Sequence, residues 1–391
     1  MKKRLLIVSH ALELGGAERS LIGLLDALDP QVWEIDLFLL RHAGELMDAI
    51  PAHVQLLPQV SAYTVLARPM KDTLREGKFL LTGARMLGKI AARRYNQTHG
   101  YTDSGVGIEY SHKFTCPLMP KIRPEIEYDL AVSFLTPHYF VAEKVRAKKK
   151  IAWIHTDYSR VQINRASELR MWDRYDHIVS ISDAVTDSFL GLLPELKNKI
   201  IQIENILPEK LIRRQAEAFS AEKEMPKRGI RLLSIGRYCT AKNFDNVPDM
   251  YWYIIGFGPD EAMIRQKIAE ANMEERVILL GKKENPYPYI KACDLYVQPS
   301  RYEGKSVTVR EAQLLGRPVV IARYATSSSQ LEDGADGVIV PMDNAGCAEG
   351  IAALLGDPER MARLSACCAG RNYANGQEAD KLTSIMDNYE D

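Results

Sequence analysis

The sequence predicts an α/β protein built from two doubly wound domains, each a parallel sheet with helices on both faces. Three observations lead to this fold class. The 391 residues are more than one ordinary core holds. Short apolar runs alternate with helical patterns along the chain. The runs are apolar throughout instead of alternating with polar residues, as in parallel strands that are covered on both faces.

The first half of the chain contains seven candidate strands, and helical patterns separate most of them. The candidate strands lie at residues 5–9, 35–40, 54–57, 130–134, 151–155, 178–182 and 200–204. This series predicts a first domain at residues 1–205. Residues 206–228 are charged and polar and run into Gly229, so we interpret them as a linker with some helix.

Six further candidate strands follow the linker and predict a second domain at residues 229–375. They lie at residues 232–235, 252–255, 277–280, 295–298, 319–322 and 338–340, and the tail from Ala345 has helical patterns. The first two strands of this series are close in sequence. A parallel crossover with a helix takes at least about 10–12 residues. The connection at residues 243–251 is therefore too short for a full crossover helix; either this unit is abbreviated or residues are missing from the sequence.

The composition is that of a folded soluble protein and argues against several functions. The formal net charge is zero, which does not favour a nucleic-acid partner. The six cysteines show no paired metal spacing, and this favours reduced thiols and a cytoplasmic location. No apolar run approaches the roughly 18–20 residues of a spanning helix.

The stretch at residues 300–318, SRYEGKSVTVREAQLLGRP, carries the strongest functional signal. Glu303 lies in a glycine-containing loop after an apolar strand, and Glu311 lies inside the helix that follows. A strand, a loop and a helix N-terminus form a site suited to a phosphate group. Carboxylates beside such a site can accept hydrogen bonds from sugar hydroxyls. The pattern predicts a nucleotide-sugar site, and the alternative is that Glu311 is a surface residue of its helix.

Two cations and two glycines follow strand ends that should face a ligand. Arg237 follows the first strand of the second domain, and Lys242 comes five positions later. Together they would neutralise a diphosphate, unless they belong to a solvated loop. Gly15 and Gly16 follow the first strand of the chain, where the backbone can approach a ligand or simply turn.

Two further features have both a functional and a structural interpretation. His155 closes a strand at a carboxyl edge, although a lone histidine is often structural. Residues 68–94 carry eight Lys or Arg interleaved with apolar residues. This segment would contact an anionic membrane or acceptor, or it is a solvated helix face over the core.

The sequence contains no Asp-x-Asp and no His, Cys or Asp cluster with metal-ligand spacing, so we expect neither a metal nor another cofactor. No Ser-His-Asp or Cys-His arrangement can be singled out either.

These motifs resemble those of the GT-B glycosyltransferases, in particular glycosyltransferase family 4. The resemblance covers nearly the whole chain through GGAERSL, GRYCTAKN, IIGFGPDE, DLYVQPS and RYEGKSVTVREAQLLGRPVV. It implies two facing Rossmann-like domains with the active site in the cleft. It also implies that the last segment, residues 376–391, packs on the N-terminal domain.

The resemblance implies a role for each matching residue. Arg237 and Lys242 would hold the donor diphosphate, Glu303 the donor sugar and Glu311 the ribose hydroxyls. His155 would lie near the donor sugar. The remaining donor-site residues would be Gly15, Gly16, Gly304, Lys305, Ser306 and Val307. Lys-Ser-Val after Gly304 departs from the more common Phe-Gly-Leu or Phe-Pro-Leu of the family, which affects the expected loop shape and sugar preference.

The expected function is a retaining transfer of a hexosyl or N-acetylhexosaminyl group from a UDP-sugar to a hydroxyl of a glycan or glycolipid precursor. Such a reaction belongs to cell-surface polysaccharide synthesis. The partners would be the nucleotide sugar and a glycan or lipid-linked acceptor, with membrane contact through residues 68–94 at the inner face of the plasma membrane. The alternatives are a sugar-nucleotide epimerase of the same fold and an inactive sugar-nucleotide-binding protein.

Overall fold

The structure is a computed structural model that describes residues 2–102, 104–135, 138–236 and 250–387. The chain divides into two compact units. The first unit comprises Met1–Ile206 and Gly376–Asp391, and the second comprises Leu207–Asn375.

Seven parallel strands form the described sheet of the first unit. They are β1 (Lys3–Ser9), β2 (Trp33–Leu39), β3 (Val54–Leu56), β4 (Tyr128–Ser133), β5 (Ala147–Ile154), β6 (His177–Ser180) and β7 (Ile200–Gln202), in the spatial order β3-β2-β1-β4-β5-β6-β7. The described α-helices of this unit are α1 (Gly16–Ala27), α2 (Met70–Arg75), α3 (Phe79–His99), α4 (Val106–Thr115), α5 (Tyr139–Lys144), α6 (Arg165–Trp172), α7 (Asp183–Leu192) and α14 (Asp380–Asp387).

The second unit has a parallel sheet of six described strands. They are β8 (Arg231–Ile235), β9 (Tyr251–Ile255), β10 (Val277–Gly281), β11 (Leu295–Gln298), β12 (Val319–Ala322) and β13 (Val338–Val340), in the spatial order β10-β9-β8-β11-β12-β13. Its described α-helices are α8 (Glu209–Ala216), α9 (Glu261–Glu270), α10 (Tyr287–Ala292), α11 (Val307–Leu314), α12 (Asn344–Leu355) and α13 (Pro358–Gly370).

Apolar side chains cover both faces of the second sheet. Leu233 and Tyr253 belong to the core cluster on one face, and Leu232 and Trp252 belong to the cluster on the other. Successive residues of a strand point to opposite faces, so a strand that is covered on both faces needs an uninterrupted apolar run. All thirteen predicted strands have a counterpart among β1–β13, and the predicted fold class is confirmed.

Each sheet reverses its strand order beside its first strand. In the first unit β1 lies between β2 and β4, and in the second β8 lies between β9 and β11. The helical connections therefore leave in opposite directions from this point, which opens a crevice at the carboxyl ends of the strands. The loops after β1, β4, β8 and β11 are the ones that can reach a ligand there.

The segment interpreted as a linker belongs to the second unit. Ile212, Ala216, Ala221 and Met225 are buried in a core cluster of that unit. They recur every four or five residues, so a short helix and the turn after it present them to the same core. The abbreviated connection expected at residues 243–251 lies mostly outside the described residues.

The chain returns to the first unit at its C-terminal end. Leu382 has no exposed surface, and the Trp33 indole N–H donates a hydrogen bond to the Thr383 hydroxyl at 3.3 Å. The Lys149 ammonium donates to the backbone carbonyl of Ile385 at 2.5 Å. These contacts fix α14 to the first unit, as the resemblance implied.

None of the helices in the described residues is long and apolar enough to cross a lipid bilayer.

Candidate donor site

The loop between β11 and α11 holds the two predicted glutamates. It follows the fourth strand of the second unit, so it lies at the point where the strand order reverses. Glu303 lies in the middle of the loop, and Glu311 lies in the second turn of α11. Gly304, Lys305 and Ser306 complete the loop, and Val307 begins the helix.

Hydrogen bonds fix the position of the Glu303 side chain. Its Oε1 atom accepts one from Gln298 Nε2 and one from Ser300 Oγ, both at 2.7 Å. The Thr326 hydroxyl donates to the Glu303 backbone carbonyl at 2.8 Å. Gln298, Ser300 and Thr326 are all buried, so the carboxylate is held by groups that have little freedom to move.

Gln298 is a functional candidate that our sequence reasoning missed. Its own Oε1 accepts a hydrogen bond from the Tyr296 hydroxyl at 2.8 Å, which orients the amide so that Nε2 faces Glu303. The available signal was a single polar residue at the end of the apolar run that forms β11. A buried amide with partners on both sides fixes the geometry of the group that it contacts.

Gln330 holds the end of the loop from the other side. The Ser306 backbone N–H donates to Gln330 Oε1 at 2.7 Å, and Gln330 Nε2 donates to the Ser306 carbonyl at 3.1 Å. The Ser306 N–H is therefore already paired and is not free to meet a phosphate. The helix N-terminus that could meet a phosphate therefore begins at Val307.

Glu311 is fully buried, and this contradicts its alternative interpretation as a surface residue. The Tyr287 hydroxyl, on α10, donates a hydrogen bond to Glu311 Oε1 at 2.9 Å. A buried carboxylate needs such donors, because burial without them is costly. A ligand can reach Glu311 only if the atoms that cover it move.

Tyr324 adds a second group near Glu303 that the sequence did not reveal. Burial, with the nearby Glu303 carboxylate, raises the pKa of Tyr324, so its hydroxyl stays protonated. That hydroxyl is buried and has no hydrogen-bond partner among the described residues. A hydroxyl left in this state can donate to a bound ligand.

The predicted diphosphate residues Arg237 and Lys242 lie outside the described residues. The structure does place the strand end from which they follow. Gly236 continues β8, and its N–H donates to the Ile255 carbonyl of β9 at 3.0 Å. Because β8 is hydrogen-bonded to β11, this strand end lies next to the strand that leads into the Glu303 loop.

Gly15, Gly16 and His155 lie in the first unit, at the carboxyl ends of its strands. Gly15 is the residue before α1, and α1 begins at Gly16. A Cβ at position 15 would lie 2.0 Å from the Glu18 carboxylate, so a larger residue there would require the Glu18 side chain to move.

His155 follows β5 and packs against the Phe134 ring at 4.6 Å between centroids. Burial lowers the pKa of His155 to about 3, and the Phe134 backbone partly opposes this shift. The imidazole is therefore neutral near neutral pH. Its contact with the Phe134 ring does not exclude a role near a ligand.

Comparison with known proteins relates this geometry to a family. Residues 186–367 match the family described as Glycosyl transferases group 1. This part of the chain runs from α7 to α13 and contains both Glu303, in the β11–α11 loop, and Glu311, in α11.

The structure resembles that of Anabaena HepE in complex with UDP and glucose. The TM-score is 0.68 at 16% sequence identity, and the alignment covers 99% of this chain and 100% of that one. The fold is GT-B. This confirms the fold that the sequence motifs implied.

Two curated relatives illustrate the sequence similarity. The chain is 29% identical over 133 residues to the lipopolysaccharide core biosynthesis mannosyltransferase LpsB of Rhizobium meliloti, covering 32% of this chain and 38% of that protein. It is 30% identical over 198 residues to the D-inositol 3-phosphate glycosyltransferase of Nocardia farcinica, covering 49% of this chain and 38% of that protein. The chain thus spans less than half the length of these curated relatives. For two other relatives, the covered shares of their own length are 37% and 45%.

Proposed function

We propose that this protein is a retaining glycosyltransferase of family 4. It would move a hexosyl or N-acetylhexosaminyl group from a UDP-sugar to a hydroxyl of a glycan or glycolipid precursor. The observation that carries the proposal is the hydrogen-bonded Glu303 loop, next to the point of strand reversal in a GT-B fold. The similar HepE structure was solved with UDP and glucose, and the similar LpsB is a mannosyltransferase.

Each donor-site residue has a distinct task in this reaction. Arg237 and Lys242 would neutralise the diphosphate as it leaves, which is the electrostatic contribution that transfer from a nucleotide sugar requires. The first turn of α11, from Val307, would receive a phosphate oxygen through its N–H groups. Glu303, held by Gln298 and Ser300, would accept hydrogen bonds from the sugar hydroxyls.

Glu311 would accept hydrogen bonds from the ribose of the donor. Because its carboxylate is buried beneath neighbouring atoms, the donor must displace those atoms as it enters. The acceptor hydroxyl would attack the face from which the diphosphate departs, and a phosphate oxygen would take its proton. This route needs no protein nucleophile and no metal, so we expect transfer to continue in the presence of a chelator.

The test is a panel of nucleotide sugars, first by thermal shift and then by transfer to glycan and lipid-linked acceptors. A ligand that binds the folded state raises its melting temperature. Glu303→Gln, Glu311→Gln and Lys242→Ala should each lower transfer by about 100-fold or more. Glu349→Gln is the matched control, because Glu349 is an exposed glutamate on α12 of the same unit.

Near-normal transfer by the Glu303, Glu311 and Lys242 variants would disprove the site. Conversion of the donor without any acceptor would indicate an epimerase instead. Donor binding without turnover over the whole panel would indicate an inactive binding protein.

A further inference from the structure

Helix α3 presents a row of large apolar side chains to solvent. Phe79 is 68% exposed, Leu80 79%, Met86 56%, Leu87 59% and Ile90 42%. We call these five residues the apolar crest. Their spacing of three, four and seven residues puts them along one side of the helix. A surface helix normally has polar residues on the side away from the core, so the crest is not explained by packing within the unit.

Basic side chains flank the crest. Lys89 and Arg93 are exposed and have no ion pair or hydrogen bond among the described residues. Arg94 is also exposed on the same helix. At the start of the segment, Arg68 and Lys78 both pair with Glu76.

A pocket of about 600 Å³ lies between α3 and α4, on the side of the crest where Lys89 and Arg93 project. Arg85, one turn before Lys89, also lines it and is anchored by donating to the Val65 and Arg68 carbonyls at 2.5 and 2.6 Å. The described lining residues include no carboxylate. The pocket is therefore suited to an anionic group.

The charge of this surface distinguishes between its possible occupants. Exposed apolar patches with polar rims usually mark contact sites. A second copy of the chain would bring like charges from two α3 helices together, which opposes association. An anionic bilayer complements the surface, because apolar side chains enter the interface while cations meet lipid phosphates.

We propose that the apolar crest of α3, with Lys89, Arg93 and Arg94, docks this protein on the surface of an anionic lipid bilayer. The crest enters the boundary between head groups and acyl chains, and the α3–α4 pocket receives a lipid phosphate. The helix lies in the plane of the interface and does not cross it. This inference does not rest on the proposed transferase activity.

The experiment is co-sedimentation of the full chain with phosphatidylcholine vesicles that contain or lack phosphatidylglycerol, with no sugar nucleotide present. The wild-type protein should bind the vesicles with phosphatidylglycerol and release them at high salt. Lys89→Ala/Arg93→Ala should weaken binding by about 30-fold, since each basic residue near such a surface contributes a factor of about five. Leu80→Asp/Leu87→Asp should abolish it.

Lys210→Ala/Arg214→Ala is the matched control, because Lys210 and Arg214 are exposed on α8 with the same four-residue spacing. It should bind as the wild type does. Melting temperatures of all variants report whether the fold is intact. The proposal is wrong if the wild type binds vesicles equally with and without phosphatidylglycerol, or if the Lys89 and Arg93 variant binds like the control. It is also wrong if the wild type is a dimer and the crest substitutions make it a monomer.

Discussion

Two tyrosines on α10 have equivalent hydrogen bonds but different partners. The Tyr287 hydroxyl donates to the buried Glu311 carboxylate at 2.9 Å. The Tyr289 hydroxyl donates at the same distance to Glu224, whose side chain is 43% exposed. Only the first bond lies in the proposed donor site. Removing each hydroxyl in turn therefore tests that one bond against a matched control.

We expect Tyr287→Phe to weaken UDP binding by about tenfold, because a hydrogen bond to a charged group contributes about 1.5–3 kcal/mol and holds Glu311 in place. Tyr289→Phe should leave UDP binding unchanged. Isothermal titration with UDP measures both. Equal affinities in the two variants would show that Tyr287 does not position a donor ligand.

At the scale of elements, the sequence located the strands well because apolar runs report burial on both faces. Glu303 was found because loops after parallel strands share one edge of the sheet. The two hydrogen bonds between Ser306 and Gln330 were not predictable, because the residues are 24 positions apart and no local sequence pattern relates them. Residues 206–228 were interpreted as a linker because only widely spaced side chains, such as Ile212 and Met225, enter the core of the second unit.

The contact between α3 and α4 depends on a glycine. A Cβ at Gly88 would lie 2.6 Å from the Tyr110 carbonyl oxygen of α4, whereas a Cβ at Gly83 would meet nothing within 4 Å. Both glycines are in α3, and either replacement by alanine gains helix propensity. Comparing the two substitutions therefore distinguishes the effect of helix propensity from the effect of packing between α3 and α4.

Gly88→Ala should lower the free energy of unfolding by about 1–3 kcal/mol, because α3 must move away from α4. Gly83→Ala should raise it by about 0.5–1 kcal/mol. Denaturant titration measures both changes. If Gly88→Ala is as stable as Gly83→Ala, the helices can separate at no cost, and their close approach is not a constraint.

Considering the chain from end to end, helix α14 belongs to the first unit, although the second unit precedes it in the sequence. Leu382 of α14 is fully buried in the first unit, and Leu364 of α13 is buried in the second. Removing three buried carbon atoms from a leucine leaves a cavity and typically costs about 2–5 kcal/mol. The two leucines thus allow each unit to be weakened separately.

We expect Leu382→Ala to reduce hydrogen-exchange protection in β1–β7 and to leave β8–β13 unchanged. Leu364→Ala should do the reverse. Mass spectrometry of peptides from each sheet gives the readout. Equal loss of protection in both sheets for either variant would mean that the two units unfold as one.

The return of the chain has a consequence for its synthesis. The first unit comprises Met1–Ile206 and Gly376–Asp391, so a ribosome finishes the second unit before it has made the last helix of the first. At about 5–20 residues per second, the intervening residues take roughly 10–30 s to translate. Throughout that interval the nascent first unit exposes the apolar surface that Leu382 and Ile385 later cover. The strands of the first unit are thus made first, whereas part of the surface that they form is covered last.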